Sequence, residues 1–552
     1  MRLDSVRRGA CAMLGAIVLI TGCSGRDGGG AGGTVVIGSG LDPKALFPPT
    51  ADNIQARQLT DLIFQRLADR GTALNTLGDA GFVPRLAQRW EWSPDSTRVT
   101  FHINPRARWE DGRPVTARDV KFTYDVYADS TVGARERQGL KAAVDSITIA
   151  DSVTCTAWFR GRAPERFDVL VSTLVPLPEH LLAGIRRDSL PTSAFAMKPI
   201  GDGPYKLGTW DQQVRLELVS SPTYYERPSV NRVVWTFSPD AATRFKQLVA
   251  GESDFLENLS VDEAAAAAKQ PDLRVVTLGS YGYNFLQFNL RDGPGPHPHP
   301  LFGDRALRRA LTMALDRQLL VHSVFGPLGR VGIGPFVRAQ WAADTTVAQL
   351  AFDRAGAARL LDSLGWRTGA DGVRARNGRQ LAFSLLVPTV SAPRLSLSVL
   401  IQEQLRLAGV KVTVEKVDIN EMIDRMKKRE FDAVMGGFNS TPSPGGVRQT
   451  WITAAVHGGL NYGRYENAAF DSQIDSAGAA GVVAAAKAHY RAASQIIVDD
   501  APAIWLYEPP MLAGVNTRVR MGEMRADAWW MSIPAWSVDA GKRPARGAAG
   551  TP

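Results

Sequence analysis

The chain has 552 residues, 45% of them hydrophobic and 22% charged, a globular composition that excludes a disordered or fibrous protein. Single cores stop growing near about 250–300 residues, so roughly two to four domains are expected. Three cysteines exclude a disulfide scaffold and a Cys-rich zinc or iron–sulfur site, while a formal charge of +9 leaves nucleic acid and anionic membrane to be judged by its distribution.

Residues 1–22 begin with Arg2, Arg7 and Arg8 and then run apolar from Ala10 to Ile20. That run is shorter than the roughly 20 residues a membrane span needs, and it has the charged start and short apolar core of an export signal. It ends in Leu19-Ile20-Thr21-Gly22-Cys23, which resembles the lipobox of bacterial lipoproteins. The resemblance implies acylation of Cys23 and removal of residues 1–22. Residues 23–33 are Gly-rich and read as a flexible tether between lipid and folded body. The uncleaved alternative is an apolar N-terminus with a chance cysteine. Loss of the leader lowers the formal charge to about +7. The densest basic cluster, Arg425-Met426-Lys427-Lys428-Arg429, reads as a solvated helix face, and no interleaving of aromatics with bases supports nucleic-acid binding.

In chain order, Val99–Ile103 reads as a strand holding His102, a structural residue. Asp111-Gly112 follows as a tight turn, and Thr116 caps a helix starting Thr116-Ala117-Arg118-Asp119-Val120. Cys155 sits in a strand-like Val-Thr-Cys-Thr-Ala run as a small buried thiol, and Ala264–Ala268 is helix filler. The stretch between Phe288 and Phe302 carries four prolines and reads as an exposed loop. Its His297 and His299 suggest a metal pair only weakly, because no cysteine or acid cluster accompanies them. Asp304 caps an amphipathic helix with Leu307, Leu311 and Leu315. Leu397, Leu400, Ile401 and Leu405 form a second helix, ended by Gly409. Val410, Val412 and Val414 then alternate as a half-buried strand. Asn420 caps a helix carrying Met422, Ile423 and Met426, and Phe431–Phe438 follows as a more buried strand. This order predicts a parallel unit within a mixed α/β protein. The tail, 541–552, is Gly/Pro/Ala/Arg-rich and is expected to be disordered.

Several separated segments together resemble one family. They include Trp109 through Val120 and Pro199-Ile200-Gly201-Asp202-Gly203-Pro204-Tyr205, where Asp202 stands in place of the family's Thr. They also include Tyr283–Asn289, Leu307–Arg317, Ala358–Trp366 and Asn461–Tyr465. The chain is accordingly similar to the extracellular family 5 solute-binding proteins of peptide, nickel and opine-type ABC transporters, over residues 34–540. The resemblance implies a two-lobed clamp: lobe I from 34–65, 196–280 and 500–540, an inserted subdomain at 66–195, and lobe II at 281–499. It further implies a lipid-anchored monomer in the cell envelope, on the periplasmic side of a membrane in a Gram-negative cell. The protein would capture a peptide-like solute non-covalently, without cofactor or metal, and deliver it to a permease driven by an ATPase.

The candidate ligand-binding residues are Asp52, Asn53, Tyr283, Phe438, Asn439, Arg448 and Trp451. Free-peptide binders of the family hold the α-ammonium on an aspartate following the strand that matches Phe431–Phe438. Here Asn439 to Trp451 contains no acid. Either the ligand lacks a simple free amine or is anchored elsewhere, or another segment, for example Asp52, supplies the acid. Arg448 would hold a carboxylate or lie on a loop surface, and Phe438 and Trp451 would wall the pocket or belong to core. No Gly-x-Ser-x-Gly, His-Glu-x-x-His or phosphate-loop motif supports an enzyme. The competing readings are a sensory or chaperone-like binding lipoprotein without transport, and a cell-envelope hydrolase.

Overall fold

The structure, a computed structural model, describes residues 33–51 and 53–539; the leader, Cys23, the tether up to Gly32, Asp52 and the tail lie outside the described residues. Three larger sheets organise it. A seven-stranded sheet runs in the order Leu273–Leu278, Met511–Asn516, Phe255–Leu256, Thr34–Ser39, Arg232–Phe237, Arg215–Ser220, Tyr205–Asp211. Its centre is parallel, with Thr34–Ser39 between Arg232–Phe237 and Phe255–Leu256, and its flanks are antiparallel. Asp254 fastens that centre. It pairs, buried, with the Arg518 guanidinium and accepts the Val36 amide at 2.9 Å, while Arg518 also donates to the Thr34 carbonyl at 3.2 Å. Between the strands Thr34–Ser39 and Tyr205–Asp211 the chain inserts an antiparallel four-stranded sheet, Ala87–Trp92, Arg98–Ile103, Thr154–Phe159 and Val144–Ile149. Its apolar face continues the core of the first sheet.

The second sheet has six strands in the order Arg330–Val331, Ala503–Glu508, Gly282–Phe288, Ala433–Asn439, Ala382–Pro388, Lys411–Val417. The expected parallel unit is present. Ala382–Pro388, which the periodicity did not single out, lies at its centre, parallel to both Lys411–Val417 and Ala433–Asn439. Gly409, at φ +80°, ends the helix region Ala392–Arg406 in a left-handed turn that a β-carbon would crowd against Arg374. The following helix, Ile419–Lys428, is capped by Asp418, not Asn420; the Asp418 carboxylate accepts the Asn420 amide at 2.8 Å. An ionised side chain at the first turn outcompetes the amide two residues on. Asp304 and Thr116 cap as expected, the latter through reciprocal bonds with Asp119.

The segment 500–540 does not stay with one sheet. Ala503–Glu508 joins the second sheet and Met511–Asn516 the first, with only Pro509-Pro510 between them. The chain makes the same transfer at Gly279–Tyr281, between Leu278 in the first sheet and Gly282 in the second. These two crossovers pack on each other: a β-carbon on Gly282 would come within 2.9 Å of the Pro509 ring. Two short connections side by side between two bodies have the layout of a hinge.

The Pro-rich stretch is only partly a surface loop. His297 is exposed, but His299 is 9% exposed and stacks on Phe302 at 4.7 Å. Its Nδ1 accepts the Leu301 and Phe302 amides, so Nε2 carries the proton and donates to Asp432 at 3.2 Å. Its imidazole is thus committed to shaping the chain. Cys155 is a buried free thiol whose pKa burial pushes up to about 12, so it stays protonated.

Candidate ligand-binding cleft

A cleft of about 760 Å³ opens where the two bodies meet, within the size range of small-ligand sites. Both crossovers form part of its wall, through Gly279–Gly282 and Pro509–Met511. From the first body come Ile54, Arg57 and Asp61 on the helix Ile54–Ile63, Glu257 and Asn258 after a short central strand, and Arg525–Trp530. The insertion supplies Arg70, Tyr127 and Ser172 among others, and the second body Asn439–Pro442.

Charge in this wall is largely cancelled in place. Arg66 pairs with Asp61 at 2.7 Å, and the Trp530 indole donates to the same carboxylate at 3.0 Å. Arg70 grips Asp168 with both arms of its fork, at 2.6 and 2.9 Å, and reaches Asp527 at 3.1 Å. Arg525 holds Asp527 through two bonds at 2.9 and 2.8 Å. Burial works against ionising Asp527, yet the hydrogen bonds and charges of Arg525 and Arg70 keep its carboxyl below the ordinary range. Asp69 is held by Arg85 at 2.8 Å. These bidentate and shared pairs hold the wall rigid, which preserves its shape for a ligand.

Glu257 differs. Its Oε1 accepts the Gln58 amide at 3.0 Å and its Oε2 the Trp529 indole at 2.8 Å, both neutral donors. Among the described residues no basic side chain makes an ion pair with it, and burial pushes its pKa up despite those two bonds. The next residue, Asn258, holds a left-handed backbone at φ +62°. Asparagine tolerates that conformation better than other side-chain-bearing residues, and strained positions cluster at binding sites.

The residues singled out in the sequence separate in space. Asn439 lines the cleft. Asn53 stands at its edge as the cap of the helix Ile54–Ile63, accepting the Ala56 amide at 2.8 Å, between the lining residues Ala51 and Ile54. Tyr283, Phe438 and Trp451 come together in an aromatic cluster with Phe285 and Trp505 behind the second sheet's wall. There Trp451 is fully buried and donates from its indole to the Tyr283 hydroxyl at 2.9 Å. Arg448 lies outside the cleft lining, paired with Asp475 at 2.7 Å and with the Ile474 carbonyl at 3.0 Å.

The acid-free loop after Asn439 does receive an acid, from the insertion. Glu165 accepts the Ser443 hydroxyl at 2.8 Å and the Thr76 hydroxyl at 2.5 Å, and Trp341 donates to Thr76 at 3.0 Å. Glu165 does not line the cleft; it ties the loop to the insertion, and its pKa is raised by burial. The sequence reading passed over Arg66, Arg70, Glu257 and Arg525–Trp530. The doubled tryptophan Trp529-Trp530 beside Asp527 was the available signal, because paired indoles near an acid mark a polar site with aromatic walls.

Two bodies joined by a double crossover, with a ligand-sized cleft between them, are the architecture of a two-lobed solute-binding protein. The chain belongs to the bacterial extracellular solute-binding proteins, family 5, whose middle region matches residues 81–456. Among its relatives, the oligopeptide-binding protein AppA of Bacillus subtilis is 25% identical over 515 residues, covering 91% of this chain and 92% of AppA. Protein XP55 of Streptomyces lividans is 29% identical over 481 residues, 85% of this chain and 83% of that one. The solved structure of B. subtilis AppA in complex with a nonapeptide superposes with a TM-score of 0.69 at 24% identity, covering 92% and 99% of the two chains. The substrate-binding protein CtaP of Listeria monocytogenes superposes at 0.78 with 19% identity, covering 92% and 99%. The family is one of solute-binding proteins. No described helix is long and apolar enough to cross a membrane, and no group of three or more potential metal ligands is present among the described residues.

Proposed function

We infer that this protein is the solute receptor of an ABC importer, anchored to the envelope membrane through acylated Cys23. It takes a peptide-like solute between its lobes and hands it to a permease. The observation that carries this reading is the cleft of about 760 Å³, walled by both bodies and by the hinge strands, so that closure would surround a ligand on all sides. The relationship to AppA, a named oligopeptide binder solved with a nonapeptide, favours peptides over other solutes. On the second wall, Asn439 is the contact we assign to the ligand's backbone, because an amide can both donate to and accept from a peptide group.

Native mass spectrometry of the protein lacking residues 1–23, purified from its own cell, should reveal bound peptide, and addition of that peptide should raise Tm. A protein that carries no peptide and shows no Tm shift with any member of a broad peptide panel would overturn the reading. Anchoring is tested separately. Cys23→Ser in the full chain should move the protein from the membrane to the soluble fraction, and continued membrane partitioning would remove the lipid anchor from the account.

A further inference from the structure

We propose that Glu257 is the receptor for a cationic amine of the ligand, taking the part left empty by the acid-free loop from Asn439 to Trp451. This rests on the peptide reading above and narrows it to solutes that carry an alkylammonium group, at an unblocked N-terminus or on a lysine side chain.

Three observations carry it. First, the cleft's aspartates are already spent: Asp61, Asp69 and Asp527 each hold an arginine at 2.7–2.8 Å. Two glutamates, Glu136 and Glu257, line the same cleft and hold none, and of these Glu257 is the one whose two oxygens are fixed by neutral donors. Second, the carboxylate is held in place by neutral groups. Gln58, 1% exposed, and the indole of Trp529, 3% exposed, each occupy one of its oxygens. A carboxylate has about four acceptor positions, so capacity remains on both oxygens. Trp529 is itself immobile, packed on Phe255 at 4.2 Å and on Trp536 at 6.0 Å. Third, an ionised group out of water without a counter-ion is costly, so an incoming ammonium would relieve the cost that raises the Glu257 pKa. A preorganised, uncompensated acid in a cleft is built for a cation that arrives with the ligand.

The test uses three peptide libraries of one length, free of Arg and His. One has free N-termini and no Lys, one is N-acetylated without Lys, and one is N-acetylated with a single Lys. Binding is measured to the parent, to Glu257→Gln and to Glu257→Asp, with Tm as the check on folding. The parent should bind one or both amine-bearing libraries roughly tenfold or more tighter than the blocked library, and the two amine arms identify which ammonium is used. Glu257→Gln should erase that preference, so that the amine-bearing and blocked libraries bind alike, and Glu257→Asp should keep part of it. Equal binding of all three libraries by the parent overturns the assignment and spares the peptide reading, independently of how any variant folds. A preference that survives in folded Glu257→Gln also overturns it. Failure of every library to bind the parent overturns the peptide reading, and this assignment with it.

Discussion

Among the described residues, every charged side chain lining the cleft comes from the first body, its insertion or the C-terminal return. The second body contributes only Gly282 and Asn439–Pro442, all uncharged. The first wall therefore carries most of its charge in fixed pairs, with Arg57, Glu136 and Glu257 outside them, and the second is a neutral surface backed by aromatic core. On the proposed function, a clamp built this way would meet the charge of a solute before closing. The neutral wall would then exclude water and add contacts without having to desolvate charges of its own.

Breaking the charged wall should have the largest effect. Asp527→Ala leaves Arg70 and Arg525, 16% and 14% exposed, without their shared carboxylate, at a cost of about 3–5 kcal/mol in chemical denaturation. Asp202→Asn comes next and has the opposite sign. Burial raises the Asp202 pKa to about 7, opposed by hydrogen bonds from Gln65. A carboxyl raised above its unfolded value of about 3.9 destabilises the fold progressively as pH climbs from that value through about 7. Asp202→Asn should thus raise stability by a few kcal/mol at pH 8 and change it little at pH 4. It keeps the acceptor for the Gln65 amide at 2.9 Å. A variant equally stabilised at both pH values would show that Asp202 is not protonated in the fold.

How much of this could be seen in advance follows the distance along the chain over which each feature is encoded. The cap at Asp304, the capping box of Thr116 and Asp119, and the alternation of Val410, Val412 and Val414 are local and were legible. The parallel unit was legible in order, but its central strand, Ala382–Pro388, lies upstream of the periodic stretch and was not seen. His299 was misread because a proline-rich segment looks like surface, whereas Asp432, more than a hundred residues away, draws its imidazole inward. The charged wall was illegible for the same reason: Gln58, Glu257 and Trp529 converge from segments about two hundred residues apart or more. Nothing local announces that Pro509-Pro510 separates strands of different sheets.

The neutral wall offers the smaller tests. Trp451→Phe removes the bond to the Tyr283 hydroxyl and leaves a small void in a fully buried cluster, for a loss of about 1–3 kcal/mol. Because Trp451 lies behind the wall and not in it, peptide affinity should stay at the parent value once the protein is folded. An affinity loss in the folded variant would place Trp451 in ligand contact and give the second wall an aromatic role in recognition.

Thr441→Ala should do least. Thr441 is exposed at the cleft, and its hydroxyl makes one long bond of 3.4 Å to the Ser443 carbonyl. The loop is held instead by Gln340, whose amide donates to the Thr441 carbonyl at 2.8 Å, and by Glu165 through Ser443. Neither bond needs the threonine side chain, so stability should change by less than about 0.5 kcal/mol. Peptide affinity should fall only slightly, because a rim hydroxyl on a neutral wall competes with water for each contact it makes. A loss of affinity matching that of Glu257→Gln would mean that the two walls share recognition equally, and the division of labour between them would fall.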